Sequence, residues 1–284
     1  MADGAMTGRV CVVTGATSGI GRATARGLAR LGATVALVCR DPARGAETVA
    51  EIEAETGRRD VAVFLADLAS QRAIREVARA LRERFPAIHV LVNNAGIVNL
   101  QHTTTVDGIE TVFAVNHLAY FLLTDLLRDR LIASAPARIV NVASEAHKFA
   151  RTIAFDDLGH ARRYRGLRVY GHSKLANILF TYELARRLED TGVTANCVHP
   201  GAVGTRLAQN NGRIATLITR VLRPFFRTPE QGAATTLHVA TAPELAYVTG
   251  KYFMSCKEAR SSAVAYDRAL QQRLWSESER LTAA

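Results

Sequence analysis

The sequence predicts a doubly wound α/β fold, in which helices cover both faces of one mainly parallel β-sheet. Short apolar runs alternate with longer amphipathic ones along most of the 284 residues, a pattern typical of βαβ units. No repeat, low-complexity stretch or Pro/Gly/Ser-rich linker divides the chain. Hydrophobic residues make up 48% of it, enough for a sizeable core. We therefore expect a single domain over residues 1–284.

The apolar runs predict buried strands, and the segments between them predict crossover helices that lie on both sheet faces. The predicted strands are Arg9–Thr14, Thr34–Cys39, Val61–Leu65, Ile88–Val92, Arg138–Val142 and Val193–Val198, with a seventh near Lys251–Met254. The predicted helices lie near 19–31, 42–56, 70–84, 108–133 and 170–190, and a C-terminal helix is expected within 255–284. The alternation breaks near 147–168 and 207–227, both after strand ends, where open α/β sheets bind ligands.

The charge and cysteine patterns exclude several classes of protein. A net charge of +10 can indicate a nucleic-acid or membrane partner. Here the arginines are dispersed among acids, as in Arg82-Glu83-Arg84, so no nucleic-acid partner is expected. Four widely spaced cysteines indicate neither a disulfide framework nor a metal site. Residues 1–8 lack a signal pattern, and no apolar run reaches the ~18 residues of a membrane span. We expect a cytoplasmic protein.

A glycine-rich turn joins the first predicted strand to the first predicted helix. Its sequence is Gly15-Ala-Thr-Ser-Gly19-Ile-Gly21. Such glycines allow a pyrophosphate to approach the backbone, and the helix N-terminus offers amide donors, although a glycine turn also occurs for packing alone. The flanking strand and helix favour a dinucleotide site. The residues expected to contact the dinucleotide are Gly15, Thr17, Ser18, Gly19, Ile20 and Gly21.

The end of the second strand indicates which dinucleotide binds. An acid there favours the ribose 2′-hydroxyl of NAD, whereas an arginine accommodates the 2′-phosphate of NADP. Arg40 occupies this place, and Arg44 is a candidate second contact one helical turn on. Asp41 is expected to cap the next helix, with Pro42 at its first position. NADP(H) is the favoured cofactor; the alternative is that Arg40 is an exposed strand-end arginine.

Tyr170 and Lys174 lie four residues apart in a predicted helix, and therefore on one helical face. A phenol titrates near ~10, so it transfers protons poorly at neutral pH. A neighbouring ammonium would lower that pKa. Lys174 is one of few lysines in a chain rich in arginine, and an arginine could not take part in proton transfer.

These motifs together resemble the short-chain dehydrogenase/reductase family over essentially the whole chain. In order, they are Thr14-Gly15-Ala-Thr-Ser-Gly19-Ile-Gly21, Asp67-Leu68, Asn93-Asn94-Ala95-Gly96, Asn116, Asn141-Val-Ala-Ser144, Tyr170-x-x-x-Lys174, and Pro200-Gly201 with Thr205. The resemblance implies a Rossmann-type domain with a seven-stranded sheet. It also implies hydride transfer between a nicotinamide cofactor and an alcohol or carbonyl.

The resemblance implies a role for each matching residue. Ser144 would hold the substrate oxygen, Tyr170 would transfer the proton, and Lys174 would bind the nicotinamide ribose and lower the tyrosine pKa. Asn116 would order a water beside Lys174. Asp67 would bond the adenine, or merely cap a helix, and Thr205 would hold the carboxamide, or be a loop hydroxyl. The further cofactor contacts implied are Leu68, Asn94, Ala95, Gly96, Pro200, Gly201 and Val203.

A finer resemblance is to the retinol dehydrogenase-like branch of the family. The passages that carry it are Arg138-Ile-Val-Asn-Val-Ala-Ser-Glu-Ala-His147, Tyr170-Gly-His-Ser-Lys-Leu-Ala-Asn177, Val198-His-Pro-Gly201 and Gly250-Lys-Tyr-Phe253. This branch implies a small apolar alcohol or carbonyl substrate, NADP(H), and action as a carbonyl reductase, and the family implies a homodimer or homotetramer. The alternatives are a sensor or scaffold that binds NADP without turnover, and an epimerase or dehydratase, which would need a larger C-terminal domain.

The resemblance also divides the expected domain by role. Residues 1–190 would form the dinucleotide-binding and catalytic core, and 200–230 would form a substrate loop. Within that loop the apolar positions from Ile214 to Phe225 follow helical spacing. This helix would pack on the body, close over an apolar pocket as a lid, or contact a membrane surface.

Overall fold

A computed structural model describes residues 4–201 and 227–283 of the chain. Its eight strands form one sheet in the order β3-β2-β1-β4-β5-β6-β7-β8, and all neighbours are parallel except the last pair. The strands are β1 (Val10–Thr14), β2 (Thr34–Cys39), β3 (Val61–Leu65), β4 (Val90–Asn93), β5 (Ala137–Val142), β6 (Val193–His199), β7 (Tyr252–Met254) and β8 (Lys257–Ala259). Successive strands are added on one side of β1 up to β3 and on its other side from β4 onward. The boundary between β1 and β4 is therefore the switch point where such sheets bind ligands.

Helices cover both faces of the sheet, as predicted. They are α1 (Gly19–Arg30), α2 (Pro42–Thr56), α3 (Gln71–Arg84), α4 (Thr111–Phe113), α5 (Ala119–Ala133), α6 (Gly166–Arg187), α7 (Pro229–Thr241) and α8 (Arg268–Thr282). One core cluster joins the sheet to α3, α5 and α6, and a second joins the opposite face to α1, α2 and α7. In the described ranges, no helix is both long and apolar enough to cross a bilayer.

The expected number of seven strands is wrong, because an eighth strand, β8, pairs antiparallel with β7. A two-residue turn joins them, and both of its residues are left-handed: Ser255 has φ 52° and Cys256 has φ 60°. Such hairpin turns usually carry Asn or Gly at these positions. The turn is therefore not recognisable from its residue types. The backbone N–H of Cys256 donates to Thr235 Oγ1 at 3.2 Å and ties the turn to α7.

Several helix predictions also need correction. The helix expected over 108–133 is three pieces, because a π-helical turn at Ala114–Leu118 separates α4 from α5. Helix α6 begins at Gly166, so Tyr170 lies inside its second turn. The helix expected within 255–284 is confined to α8, and helix α7 was not predicted. The amphipathic segment 207–227 lies, apart from Arg227, outside the described residues.

Helix α8 packs across the two long helices α5 and α6. Trp275 is only 4% exposed, and its ring meets Phe121 of α5 at 5.0 Å and Phe180 of α6 at 5.8 Å between centroids. The guanidinium of Arg187 lies 4.2 Å from the centre of the same ring. The indole thereby closes one side of the core that supports the long helices.

Replacing Trp275 by Ala should lower the free energy of unfolding by about 3–5 kcal/mol, because a large buried side chain leaves a cavity between three helices. Urea unfolding followed by circular dichroism measures the loss. Trp275→Phe, which keeps an aromatic ring between Phe121 and Phe180, should lose less than half as much. Equal losses in the two variants would contradict this account of the packing.

Candidate active site

The residues predicted to act together converge at the carboxyl ends of β1, β4 and β5. Gly15 directly follows β1, Asn94 directly follows β4, and Ser144 comes two residues after β5. Because these strands are parallel neighbours, their ends share one edge of the sheet. Tyr170 and Lys174 reach this edge from α6.

Two glycines allow the β1–α1 loop to pack tightly against the segment after β4. Gly15 has φ 66°, and a Cβ there would lie 2.9 Å from Ala95 Cα. A Cβ on Gly21 would lie 2.3 Å from the carbonyl oxygen of Gly15. Any side chain at either position would push the loop away from the sheet, so both glycines are required for this geometry.

The N-terminus of α1 opens onto the glycine loop without a side-chain cap. Ser18 is the N-cap residue but its hydroxyl makes no capping bond, and the first turn contains no acid. Ser18, like Thr17 and Gly19, is partly exposed, whereas Ile20 is buried and packs toward Ala233 of α7. Uncapped amide groups and a positive helix end fit the pyrophosphate of a dinucleotide.

Asn94 holds the two sides of this site together. Its side-chain Nδ2 donates to the carbonyl oxygen of Thr14 at 2.8 Å, and its backbone N–H donates to Thr14 Oγ1 at 2.9 Å. Thr14 Oγ1 also accepts the backbone N–H of Ala95 at 3.0 Å. Asn94 therefore shapes the floor of the site by fixing the glycine loop to residues 94–96.

At the carboxyl end of the neighbouring strand β2, Arg40 is exposed. Arg44 is partly buried and lies in the first turn of α2. Asp41 caps α2 as expected, since its carboxylate accepts the N–H groups of Ala43 at 3.0 Å and Arg44 at 3.2 Å. The only acid at this strand end is thus used by the helix. Neither arginine pairs with a carboxylate among the residues described.

Asp67 and Leu68 follow β3 at the same edge. Asp67 is exposed, and one carboxylate oxygen accepts the N–H of Ala69 at 3.1 Å. Ser70, not Asp67, is the N-cap of α3 and accepts the N–H of Ala73. Asp67 therefore stabilises the turn before the helix. Leu68 is partly buried against the core.

The Lys174 amine is buried at the centre of the site, with only 2% of the residue exposed. Its Nζ donates to the carbonyl oxygen of Val142 at 3.0 Å. It lies 5.6 Å from the ring centres of both Tyr170 and Tyr120, distances at which a cation is attracted to an aromatic face. Gly96 lies beside it, since a Cβ at this residue would be in ordinary contact with Nζ, at 3.5 Å. Burial lowers the Lys174 pKa to about 7.

The Tyr170 phenol meets the Ser144 hydroxyl in this pocket. Burial raises the Tyr170 pKa to about 12, and the hydrogen bond from Ser144 opposes part of this rise. Lys174 does not lower the pKa of Tyr170, although the sequence led us to expect this. The reason is that the same desolvation keeps the amine only partly charged at neutral pH. Ser144 Oγ also accepts the N–H of Ala146 at 3.2 Å, which fixes the hydroxyl at the start of a 3₁₀ helix, Glu145–Phe149.

Asn116 lies fully buried in the π-helical turn before α5, a kind of distortion that is common at functional sites. Its Oδ1 accepts the backbone N–H of Ile97 at 2.8 Å, and its Nδ2 donates to the carbonyl oxygen of Ile97 and to Ser173 Oγ, both at 3.0 Å. Ser173 Oγ in turn donates to the carbonyl oxygen of Tyr170 at 2.8 Å. Asn116 thus connects the segment after β4 to α6, with both amide hydrogens already used.

The remaining predicted contacts follow β6. Pro200 is buried, and Gly201 is left-handed with φ 86°. A Cβ on Gly201 would collide with the side chain of Arg227 at 2.7 Å. Val203 and Thr205 lie outside the described residues.

Sequence reasoning missed Tyr120, Thr14 and Ser173 as members of the site. Tyr120 is 1% exposed, and its hydroxyl donates to the carbonyl oxygen of Ala95 at 2.8 Å. Its position four residues after Asn116 was an available signal, because such spacing places both on one helix face. Thr14 bonds backbone groups after β4, and Ser173 bonds the Tyr170 carbonyl and the distant Asn116 side chain. Such contacts are not visible in the spacing of residues along the sequence.

Comparison with known proteins agrees with this geometry. The family model described as short chain dehydrogenase matches residues 9–214. The chain therefore belongs to the short-chain dehydrogenase/reductase family, as the sequence motifs predicted. Within that family it is retinol dehydrogenase-like.

Similar proteins include retinol dehydrogenase 12 of Mus musculus, which is 46% identical over 95% of this chain and 84% of its own length. Retinol dehydrogenase 14 of Homo sapiens is 43% identical over 97% of this chain and 87% of its own. Among solved structures, the Pseudomonas aeruginosa RhlG/NADP active-site complex is 30% identical, with a TM-score of 0.71 over 89% of this chain and 97% of that one.

The buried amine should make stability depend on pH in a defined direction. Because the Lys174 pKa is about 7 in the folded protein and 10.5 ordinarily, the unfolded chain binds the additional proton between these values. Stability from this group therefore rises as pH increases from about 7, by up to about 1.4 kcal/mol per pH unit. The difference in unfolding free energy between wild type and Lys174→Met, measured at pH 7, 8 and 9, should grow in favour of wild type.

Lys251→Met is the control, because Lys251 is a half-exposed lysine that pairs with Glu258 at 2.9 Å. Its difference from wild type should stay flat over the same range. A flat difference for Lys174→Met as well would show that the amine keeps an ordinary pKa.

Proposed function

We propose that this protein is an NADP(H)-dependent oxidoreductase that interconverts an apolar alcohol and its aldehyde or ketone, with Tyr170 as the general acid and base. The observation that carries the proposal is the meeting of the Tyr170 phenol with the Ser144 hydroxyl, beside the buried Lys174 amine. When bound, the nicotinamide cofactor supplies or accepts the hydride. Protein groups position the substrate, exchange the proton and bind the cofactor.

In this proposal Ser144 donates a hydrogen bond to the substrate oxygen and Tyr170 exchanges the proton with that oxygen. Both groups converge on one position, as general acid–base catalysis requires. Lys174 contacts the cofactor ribose, and Asn116 fixes the backbone on which Gly96 and Tyr170 lie. The glycine loop, Asp67, Leu68 and the 94–96 segment form the cofactor floor, and Pro200 and Gly201 lead into its nicotinamide end.

The protonation states favour carbonyl reduction. With a pKa raised to about 12, the Tyr170 phenol is protonated at neutral pH and can donate to a developing alkoxide. Alcohol oxidation would need the phenolate, which this desolvated pocket disfavours. The protonation state of Tyr170 therefore supports a role as a carbonyl reductase.

The choice of NADP(H) is supported by charge at the end of β2. Arg40 and Arg44 offer two guanidinium groups, while the Asp41 carboxylate is used as the cap of α2. Similar solved structures include a Burkholderia cenocepacia short chain dehydrogenase in complex with NADP, 31% identical with a TM-score of 0.70 over 88% of this chain and 96% of that one.

An apolar substrate is supported by the retinol dehydrogenase relatives. The single-domain organisation, the lid role of 200–230, the cytoplasmic location and a homodimeric or homotetrameric assembly stay predictions. In an assembly through the long helices, the partner would have to accommodate α8, which covers Phe121 and Phe180 in the described chain.

Tyr170→Phe tests the chemistry. The variant loses the only proposed proton donor, so kcat/KM for NADPH-dependent reduction should fall by about 10²–10⁴-fold. Retinal, medium-chain aldehydes, steroids and aromatic ketones form the substrate panel, followed by NADPH absorbance. NADPH affinity, measured by fluorescence titration, should stay within about twofold, because a single hydroxyl is removed.

Tyr247→Phe is the matched control, since Tyr247 is 87% exposed, and it should keep full activity. Near-normal turnover in Tyr170→Phe would remove the mechanism. A wild type that binds NADPH but reduces nothing in the panel would instead favour a nucleotide sensor or scaffold.

Arg40→Asp tests the cofactor assignment. The exchange removes a charge-assisted hydrogen bond to the 2′-phosphate and adds repulsion, so the NADPH/NADH ratio of kcat/KM should fall by about 10–100-fold. Steady-state kinetics with each cofactor measures the ratio. Arg59→Asp makes the same charge change at an exposed site before β3, at the opposite edge of the sheet, and should leave the ratio unchanged. An unaltered ratio in Arg40→Asp would refute the phosphate contact.

A further inference from the structure

A buried histidine lies one turn after Ser144. His147 is the third residue of the 3₁₀ helix Glu145–Phe149 and is completely inaccessible to solvent. Its Nδ1 is 2.7 Å from the carbonyl oxygen of Ser144. Its Nε2 is 3.0 Å from the backbone nitrogen of Ser262, in the segment between β8 and α8. Both ring nitrogens therefore have a backbone partner.

These two partners determine the position of the ring proton. The backbone N–H of Ser262 can only donate, so Nε2 of His147 must be the acceptor. The carbonyl oxygen of Ser144 can only accept, so Nδ1 carries the proton. The ring is a neutral imidazole with one defined tautomer, held between Ser144 and the C-terminal part of the chain.

A second histidine holds the other end of the same peptide group. The carbonyl of Ser144 and the N–H of Glu145 belong to one planar peptide unit. The N–H of Glu145 donates to Nδ1 of His199 at 3.3 Å, and His199 is the last residue of β6. One histidine thus contacts the oxygen of this peptide plane and the other contacts its nitrogen.

We propose that His147 and His199 form a clamp on the Ser144–Glu145 peptide and act as positioning residues for the Ser144 hydroxyl. Fixing the plane of this peptide fixes the backbone torsion that follows the Ser144 Cα, and with it the position of the Ala146 N–H, which bonds the Ser144 hydroxyl at 3.2 Å. This inference rests on the proposed function, since it assigns a role within the same site. It explains why two histidines occupy buried positions beside a serine that makes the substrate contact.

The clamp requires that both rings are neutral. A proton on Nε2 of His147 would face the N–H of Ser262, and a proton on Nδ1 of His199 would face the N–H of Glu145. Burial lowers the pKa of both histidines, that of His199 to about 4. The charged groups facing the pair are Glu145, which raises both values, and Lys148, which lowers both, while Arg227 lowers that of His199. The uncharged ring of Tyr252 packs edge-on against His147.

Two substitutions at His147 separate its two hydrogen bonds. In Asn, the side-chain nitrogen can take the place of Nδ1 and donate to Ser144, but nothing reaches Ser262. In Gln, the side-chain oxygen can take the place of Nε2 and accept from Ser262, but the Ser144 carbonyl loses its side-chain donor and keeps only the backbone N–H of residue 147, at 3.0 Å. Each variant loses one buried hydrogen bond, so both should be destabilised to a similar degree in thermal unfolding.

Their kinetics should differ. His147→Gln should lower kcat for NADPH-dependent carbonyl reduction by between about 10-fold and 100-fold, because the Ser144 carbonyl has lost its side-chain donor and the peptide is held less tightly. His147→Asn should recover most of that loss, and the KM for NADPH should be the same in both. A ¹⁵N spectrum of wild-type His147 should show a proton on Nδ1 and none on Nε2 at pH 7.

His89→Leu is the control for a general loss of a histidine–backbone bond. His89 Nδ1 accepts the N–H of Val10 at 3.0 Å at the opposite end of the sheet. This variant should lose stability and keep kcat.

Equal kcat losses in His147→Asn and His147→Gln, or a proton on Nε2, would overturn the clamp while leaving wild-type turnover intact. Absence of NADPH turnover in the wild type itself would instead remove the proposed function, and the positioning role with it.

Discussion

The site depends on one constraint, which is the complete burial of the Lys174 amine. Its Nζ bonds the end of β5 through the Val142 carbonyl, contacts the face of Tyr120 from α5, and lies against Gly96 after β4. A smaller residue at 120 would leave the amine beside a cavity. The burial of this one group therefore requires the strand ends, the π-helical turn and α6 to meet where they do, and it lowers the Lys174 pKa. The burial of Tyr170 in the same pocket raises the pKa of its phenol.

A chain of buried polar groups beneath the site sets how the long helices are rotated. Asn93 of β4 donates to Asn141 of β5 and to Thr124 of α5, both at 2.9 Å, and Asn141 donates to Thr181 of α6 at 3.0 Å. An apolar interface tolerates a rotation of a helix by a few degrees, but hydrogen bonds with fixed partners do not. This network holds α5 with Tyr120, and α6 with Tyr170, facing the same pocket. Polar pairing here specifies orientation, whereas the aromatic packing around Trp275 supplies apolar burial.

The fold was predictable where the structure depends on interactions between residues that are close in the sequence. Alternating apolar runs located seven strands, and Asp41 with Pro42 marked the start of α2, because capping and periodicity depend on near neighbours. The eighth strand was missed because its turn uses Ser255 and Cys256 rather than glycine. The π-helical turn was missed because the apolar pattern of 108–133 continues through it. In the site, motifs identified which residues meet, but not the balance of desolvation that determines the pKa of Tyr170, which only the packed structure defines.

Desolvation raises the pKa of Tyr170 and lowers the pKa of Lys174. These two shifts determine the protonation states of the pocket in the absence of any other charged group. Desolvation disfavours phenolate and ammonium alike, so at neutral pH the phenol is protonated and the amine is only partly charged. A neutral phenol gives up its proton only when a more basic oxygen is placed against it, and the oxygen of a carbonyl that is gaining a hydride becomes such a base. In the proposed reaction, proton transfer is thereby restricted to the moment of hydride transfer. The orientation of the Ser144 hydroxyl, whose hydrogen bond opposes the rise of the Tyr170 pKa, then matters most for that reaction.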